Sequence, residues 1–214
     1  MRVLFCGYRA WAVDIFSALS EEYDLTLVTT TDSLLASVDE GSFSTILFVG
    51  WSWIIPEEIV KNTKCVCLHP SPLPKYRGGS PIQHQVIRGE KVSAVTLFEM
   101  DQGIDTGPVL YQKDYSLQGT LESIFTNITE AGIDGIKSVL GGDCTPIPQD
   151  NAQATFFKRR TPEMSEIVLE DFTHLTAEEV FNKVRCLQSP YPLAYIECKN
   201  NTKLYIKEVV VDDD

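Results

Sequence analysis

The tightest constraint on this chain is the run STILFVGW at 44–51, in which every residue from Ile46 to Val49 is apolar. A strand with one wet face alternates apolar and polar side chains, whereas a continuous apolar run must be covered on both faces, as parallel strands are. Similar runs surround it: RVLFCG (2–7) and DLTLVTT (24–30) before it, KCVCLH (64–69) after it. Between them lie the helix-type segments AWAVDIFSALSEE, TDSLLASVDE and PEEIVKN, the last opening on proline and two acids, as suits a first helical turn. This alternation predicts a Rossmann-like α/β fold: a mostly parallel sheet with right-handed crossovers and helices on both faces. Further on, SPIQHQVIRGE reads as a helix, SAVTLFEM (93–100) and PVLYQKDY as strands, and 121–140 as a long helix. GGDCTPIPQ (141–149) is a Gly/Pro linker, so the expected division is a domain over 1–148 and a small α+β appendage over 149–214. The appendage holds the helix TAEEVFNKVRCLQ and a hairpin of AYIEC with KLYIKEVVV, and the acidic DDD end is expected to fray.

In such sheets ligands bind beyond the carboxyl ends of the strands. There the KCVCLH strand delivers CLHPSPLPKYRGGSPIQ (67–83). Pro70, Pro72 and Pro74 remove backbone donors, fix φ and push their predecessors towards extended geometry. Gly78 and Gly79 let the backbone turn or approach a ligand closely. The residues alone allow a rigid surface connection with solvated Lys75 and Arg77 as readily as a site, but the loop lies on the side where a site is expected. A second loop on that rim, DQGIDTG, carries Asp105. An imidazole, with an ordinary pKa of about 6.5, moves protons at neutral pH. A neighbouring carboxylate raises that value and orients the ring.

Composition narrows the partners. The net charge of −12 over 214 residues opposes non-specific binding to a polyanion, although a local basic pocket can sit in an acidic surface. Cys6, Cys65, Cys67, Cys144, Cys186 and Cys198 lie partly in apolar runs and lack zinc-finger spacing, which predicts reduced thiols in a cytoplasmic protein with no structural metal. No apolar stretch approaches the roughly 18 residues of a membrane helix, and the N-terminus runs straight into a strand without a signal-peptide pattern.

The block CLHPSPLPKYRGGSPIQHQVIRGEKVSAVTLFEMDQGIDTGPVL resembles the core of the formyltetrahydrofolate-dependent formyltransferases. That family includes methionyl-tRNA formyltransferase, glycinamide ribonucleotide transformylase and the sugar-nucleotide N-formyltransferases. The HPSxLPxYRG run, the PIQ after it and DxGxDTG after a strand carry the likeness, with thirty-six positions between His69 and Asp105. It covers residues 1 to 140 well, and FFKRRTPEMSEI and PYPLAYI more loosely. It implies that an amine attacks the formyl carbon of the co-substrate N10-formyltetrahydrofolate. His69 is then assigned to oxyanion stabilisation and proton transfer, and Asp105 to orienting His69 and raising its pKa. Asp101 shapes the folate-side loop or caps its turn. Cys67 stands where the family has a catalytic asparagine. It is a tolerated substitute whose hydrogen bond comes from elsewhere (the preferred reading), a nucleophile forming a thioformyl intermediate, or the mark of a slow or inactive protein.

The resemblance also places Trp51, Ser52, Trp53, Ile54 and Ile55 along the pterin, with backbone near Gln102 and Gly103 completing that wall; core packing under the rim is an equal reading for Trp51. Arg77, the preferred candidate, and Lys75 are expected to meet a substrate phosphate beside Gly78, Gly79 and Ser80; Arg9 is a further candidate for it, with a solvated helix-start residue as its preferred reading. The expected acceptor is a nucleotide-linked amino sugar. The acidity supports it, as do the roughly sixty-five residues after the linker, which hold no basic stripe beyond the isolated KRR (158–160), and the likeness of GGSPIQ and SLQGTLESIF to the sugar-nucleotide branch of the family. The alternatives are methionyl-tRNA or another small amine and, in a different class, an inactive folate- or nucleotide-binding protein on the same scaffold. The expected partners exclude nucleic acid and membrane and leave a homodimer open.

Overall fold

Residues 1–212 are described by a computed structural model. Strand β1 (Val3–Cys6) is wholly buried and sends alternate side chains into two cores. Val3 and Phe5 pack with Trp11, Ile15 and Leu19 of helix α1 (Ala10–Leu19). Leu4 and Cys6 face the opposite core. After β2 (Leu25–Val28), that second core gains Leu34 of α2 (Thr31–Glu40), Ile46 and Phe48 of β3 (Thr45–Val49) and Ile59 of α3 (Glu57–Asn62). The period of two along each strand therefore puts helices on both faces. Thr30 starts α2 with a reciprocal capping box to Ser33, which satisfies two otherwise orphaned groups.

β4 (Cys65–His69) completes the parallel part, and a two-residue strand β5 (Arg77–Gly78) leads into α4 (Pro81–Ile87). β6 (Val92–Glu99) and β7 (Val109–Ser116) then close the sheet in the order β2-β1-β3-β4-β6-β7. The pairs β1–β2, β1–β3 and β3–β4 are parallel, whereas β4–β6 and β6–β7 are antiparallel. Helix α5 (Leu121–Gly141), capped by Thr120, lays its apolar stripe on the α1 side of the sheet. This is the mostly parallel, Rossmann-like sheet that the alternation of runs predicts.

The C-terminal segment is woven into this body. β8 (Phe156–Phe157) pairs in parallel with β5. A short helix α6 (Asp171–His174) precedes α7 (Ala177–Cys186), which packs on α4. Ile167, Val184, Cys186, Leu187 and Ala194 join the same core as β1 and α5. The hairpin of β9 (Ala194–Glu197) and β10 (Lys203–Ile206) is shorter than expected, because KEVVV does not continue the second strand. Asp213 and Asp214, in the end expected to fray, lie outside the described residues.

Candidate active site

A cleft of about 680 Å³ opens beside the carboxyl ends of β3 and β4. Residues 50–54, 67–70, 78–83 and 104–105 line it on one side; 159–162, 165, 187 and 190–192 line the other, together with Arg9 and Trp11. It lies where a doubly wound sheet places ligands.

His69, the last residue of β4, is held by two neighbours. Its Nε2–H donates to the Tyr76 carbonyl at 2.9 Å, and its Nδ1 faces Asp105 Oδ2 at 3.6 Å, an approach too long for a direct hydrogen bond. The same Asp105 oxygen accepts the Gly78 N–H at 2.7 Å. With Nε2 committed, the neutral ring presents Nδ1 as its proton-accepting atom, and a proton arriving there meets Asp105. Tyr76 (φ 59°), Ser80 (φ 56°) and Asp105 (φ 54°) all take up left-handed backbone around this point. Such conformations in non-glycine residues cluster at functional sites.

Arg77 does not meet the cleft. It is 2% exposed, donates through Nε and Nη2 to Gln149 Oε1 at 3.1 and 2.7 Å, and reaches Asn151 Oδ1 at 3.0 Å. Gln149 in turn donates to the carbonyls of Asp105 and Gly107 at 3.0 and 2.7 Å. Arg77 is thus a buried brace for the Asp105 loop, engaged through Nε and Nη2 and outside the cleft lining, where a phosphate contact was expected. Lys75 is exposed and outside the cleft wall. Gly78 and Gly79 line the cleft, but their close approach is to this chain itself. A Cβ on Gly78 (φ 94°) would lie 2.3 Å from the Phe157 carbonyl oxygen, and one on Gly79 2.5 Å from Arg159 Cα. Ser80 Oγ accepts the Arg160 N–H at 3.1 Å.

On the expected pterin side, Trp51, Ser52, Trp53 and Ile54 line the cleft, and Ile54 is 95% exposed. Trp51 also packs edge-on against Phe48 and Trp53, with its indole N–H buried and without a partner, so both readings of this side chain have a structural counterpart. Ile55 instead packs against the core beneath α2 and α3. Gln102 donates to Glu57 Oε1 at 2.6 Å, and neither it nor Gly103 lines the cleft; Ile104, next along, does. Asp101 caps the turn, accepting from Gly103 N–H at 2.9 Å and Thr106 Oγ at 2.6 Å.

Cys67 lies on the cleft floor, where burial and then the Asp105 carboxylate push its thiol well above the usual range. It is a neutral thiol, not an activated thiolate. Gln83 is 5% exposed in the same wall. Gln85, two positions on, bonds Pro70, Pro81 and Ser93. Sequence reasoning missed Gln83, Gln149, Arg159, Arg160 and Tyr191. Only the KRR triplet carried a signal, as three adjacent cations in an acidic chain. Among the described residues no group of three His, Cys, Asp or Glu side chains gathers to hold a metal, and no helix is long and apolar enough to cross a membrane.

A doubly wound sheet with a His–carboxylate pair at the carboxyl end of a central strand defines a Rossmann-like domain equipped for acid–base chemistry. The chain belongs to the formyl transferase family, whose model matches residues 9–140. It is 34% identical over 174 residues to the methionyl-tRNA formyltransferase of Thermodesulfovibrio yellowstonii, covering 78% of this chain and 54% of that protein. The chain spans about half the length of the curated relatives it matches. The solved methionyl-tRNA formyltransferase from Clostridium thermocellum superposes with a TM-score of 0.84 at 32% identity, over 98% of this chain and 99% of that one. A 4-N formyltransferase from Francisella tularensis shares the fold, with a TM-score of 0.78 at 16% identity over 99% and 98% of the two chains.

Proposed function

We propose that this chain transfers the formyl group of N10-formyltetrahydrofolate to a primary amine. The observation that carries the proposal is His69 Nδ1 directed at Asp105 on the floor of the cleft. The folate supplies an activated formyl carbon. His69 takes the proton released by the attacking amine at Nδ1, Asp105 stabilises the imidazolium so formed, and the proton passes on to the folate N10 as its bond to the formyl carbon breaks and tetrahydrofolate leaves. The Gly78 N–H and the Gln149 amide hold Asp105 and its loop in place while the charge appears. Trp51, Ser52, Trp53 and Ile54 serve as the pterin-side wall.

The relatives support methionyl-tRNA as the acceptor, the reading placed second on sequence grounds. A nucleotide-linked amino sugar is kept as the other reading because a charge of −12 disfavours a polyanionic partner; a solved sugar N-formyltransferase from Shewanella, with a TM-score of 0.75 at 18% identity, supports it at the level of fold alone. A cytoplasmic setting belongs to the same proposal. The experiment is single-turnover mixing with N10-formyltetrahydrofolate and either methionyl-tRNA or a panel of nucleotide-linked amino sugars, followed by mass spectrometry of the acceptor. Turnover of the tRNA alone removes the sugar reading, turnover of a sugar alone removes the tRNA, and turnover of neither removes formyl transfer to these amines.

A further inference from the structure

The charges of the cleft run against those of the chain. In a molecule of net charge −12, the cleft wall carries Arg9, Arg159 and Arg160, and Asp105 is its only carboxylate among the described residues. That carboxylate faces His69. None of the three arginines forms an ion pair within the described residues, where the pairs present involve Lys61, His69, Lys113, Lys137 and Lys183.

A chain of contacts links the three along the cleft wall. The Arg9 guanidinium lies 5.0 Å from the Tyr8 ring centroid and 5.8 Å from that of Tyr191. Tyr8 donates its hydroxyl proton to Ser52 Oγ at 2.7 Å, and the Ser52 carbonyl accepts from Arg159 Nη1 at 3.4 Å. Arg160 donates to the Met164 carbonyl, and the neighbouring Ser165 hydroxyl reaches Pro192, next to Tyr191. Arg160 Nε is shielded from solvent and has no partner. An unpaired buried donor costs free energy that a bound acceptor atom recovers. Burial likewise draws the Arg160 guanidinium below its ordinary pKa.

We propose that Arg9, Arg159 and Arg160 form a phosphate-binding stretch of the cleft wall that holds the phosphate-bearing part of the amine acceptor, a role that rests on the formyl-transfer reading for the word acceptor only. Guanidinium groups match phosphate oxygens bidentately, and several cations with no countercharge suit a polyvalent anion. Both candidate acceptors carry phosphate. The proposal gives the C-terminal segment a function, since it supplies two of the three cations and the Tyr191 wall, and it moves phosphate recognition away from Arg77 and Lys75.

The test uses inorganic pyrophosphate as the probe, titrated against the fluorescence of the intact chain. Saturable binding that weakens with salt is expected, with about a tenfold loss in Arg9→Ala and in Arg159→Ala and no change in Lys158→Ala, whose side chain lies outside the cleft. Arg160→Lys, which keeps the charge but not the fork, should bind more weakly than wild type even if Arg160→Ala fails to fold. In turnover, the arginine variants should raise KM for the acceptor with little change in kcat or in KM for the folate. Absence of pyrophosphate binding, equal affinity in the variants, or a rise in folate KM in place of acceptor KM overturns the site; the last would mean the anion is a folate carboxylate. Pyrophosphate binding needs no turnover, so a chain that binds it through these arginines yet formylates no amine loses the reaction and keeps the anion site. A chain that formylates an amine with unchanged acceptor KM in the variants keeps the reaction and loses the site.

Discussion

The floor of the cleft and its C-terminal wall are held by bonds of different quality. On the floor, His69 and Asp105 are fixed by backbone partners at 2.9 and 2.7 Å, and the loop behind them is pinned by a buried arginine through Gln149. On the wall, Arg159 reaches Ser52 at 3.4 Å and Ser165 reaches Pro192 at 3.4 Å, and Arg159 is exposed. Groups that move protons must be positioned before the substrate arrives, whereas groups that select a substrate can close upon it. With the roles proposed above, this contrast sets a firmly held chemical floor against an exposed recognition wall, and substitutions on either side should separate kcat from KM.

The largest effect should come from the floor. His69→Ala should lower kcat by about 10²–10⁴, the usual weight of one general acid–base group, with the melting temperature close to wild type. Asp105→Asn should lose most of the activity while keeping the Gly78 bond if the amide oxygen turns towards it; Asp105→Ala loses both. Near wild-type turnover in His69→Ala would erase the division, because the floor would then hold no chemistry.

Next in size is the seam between floor and wall. Gly78 takes φ 94°, and a methyl group there meets the Phe157 carbonyl at 2.3 Å. Gly78→Ala should cost about 1–3 kcal/mol of stability through backbone strain. It should also lower kcat, because the Gly78 N–H holds Asp105. An unchanged melting temperature, measured by calorimetry, would show that β5 and β8 need not pair as described.

How much of this was legible follows the same boundary. The sheet could be read because period and burial are local: Ile46 to Val49 announce a strand covered on both faces, and both cores confirm it. His69 and Asp105 could be placed on one rim because each ends or follows a recognisable strand. Arg77 was misjudged because its partners, Gln149 and Asn151, lie more than seventy positions away, and a sequence does not say whether a guanidinium faces solvent or two amides. At Gln102 and Gly103 the turn closed by Asp101 brings the next residue, Ile104, to the cleft lining, a one-residue difference that a loop sequence does not specify. The KRR triplet was legible as charge but not as a wall, because its position depends on β8 pairing across the chain with β5.

Arg77 then gives a mid-sized prediction that sharpens the comparison. Arg77→Met should destabilise the fold by about 1.5–3 kcal/mol, the usual value of hydrogen bonds to a buried charged group. KM for a phosphate-bearing acceptor should stay near wild type in the folded fraction. A selective rise in that KM with unchanged stability would return Arg77 to phosphate recognition and weaken the case for a separate recognition wall.

The smallest effect is expected at Cys67, on the floor but outside its hydrogen-bond network. Its thiol pKa lies above the ordinary value because burial and the Asp105 carboxylate oppose a second negative charge. The sign matters: a raised pKa leaves less thiolate at neutral pH than a free cysteine has, so a nucleophilic route through Cys67 would be slow and would accelerate only in strongly alkaline solution. Cys67→Asn should therefore retain activity or raise it modestly, since an amide is a stronger donor to a developing oxyanion than a thiol. Iodoacetamide should label exposed Cys198 well before Cys67 at neutral pH. A formyl adduct on Cys67, trapped at a rate matching turnover and accompanied by loss of activity in Cys67→Asn, would make the thiol the nucleophile and move the chemical centre from His69 to the neighbouring side chain.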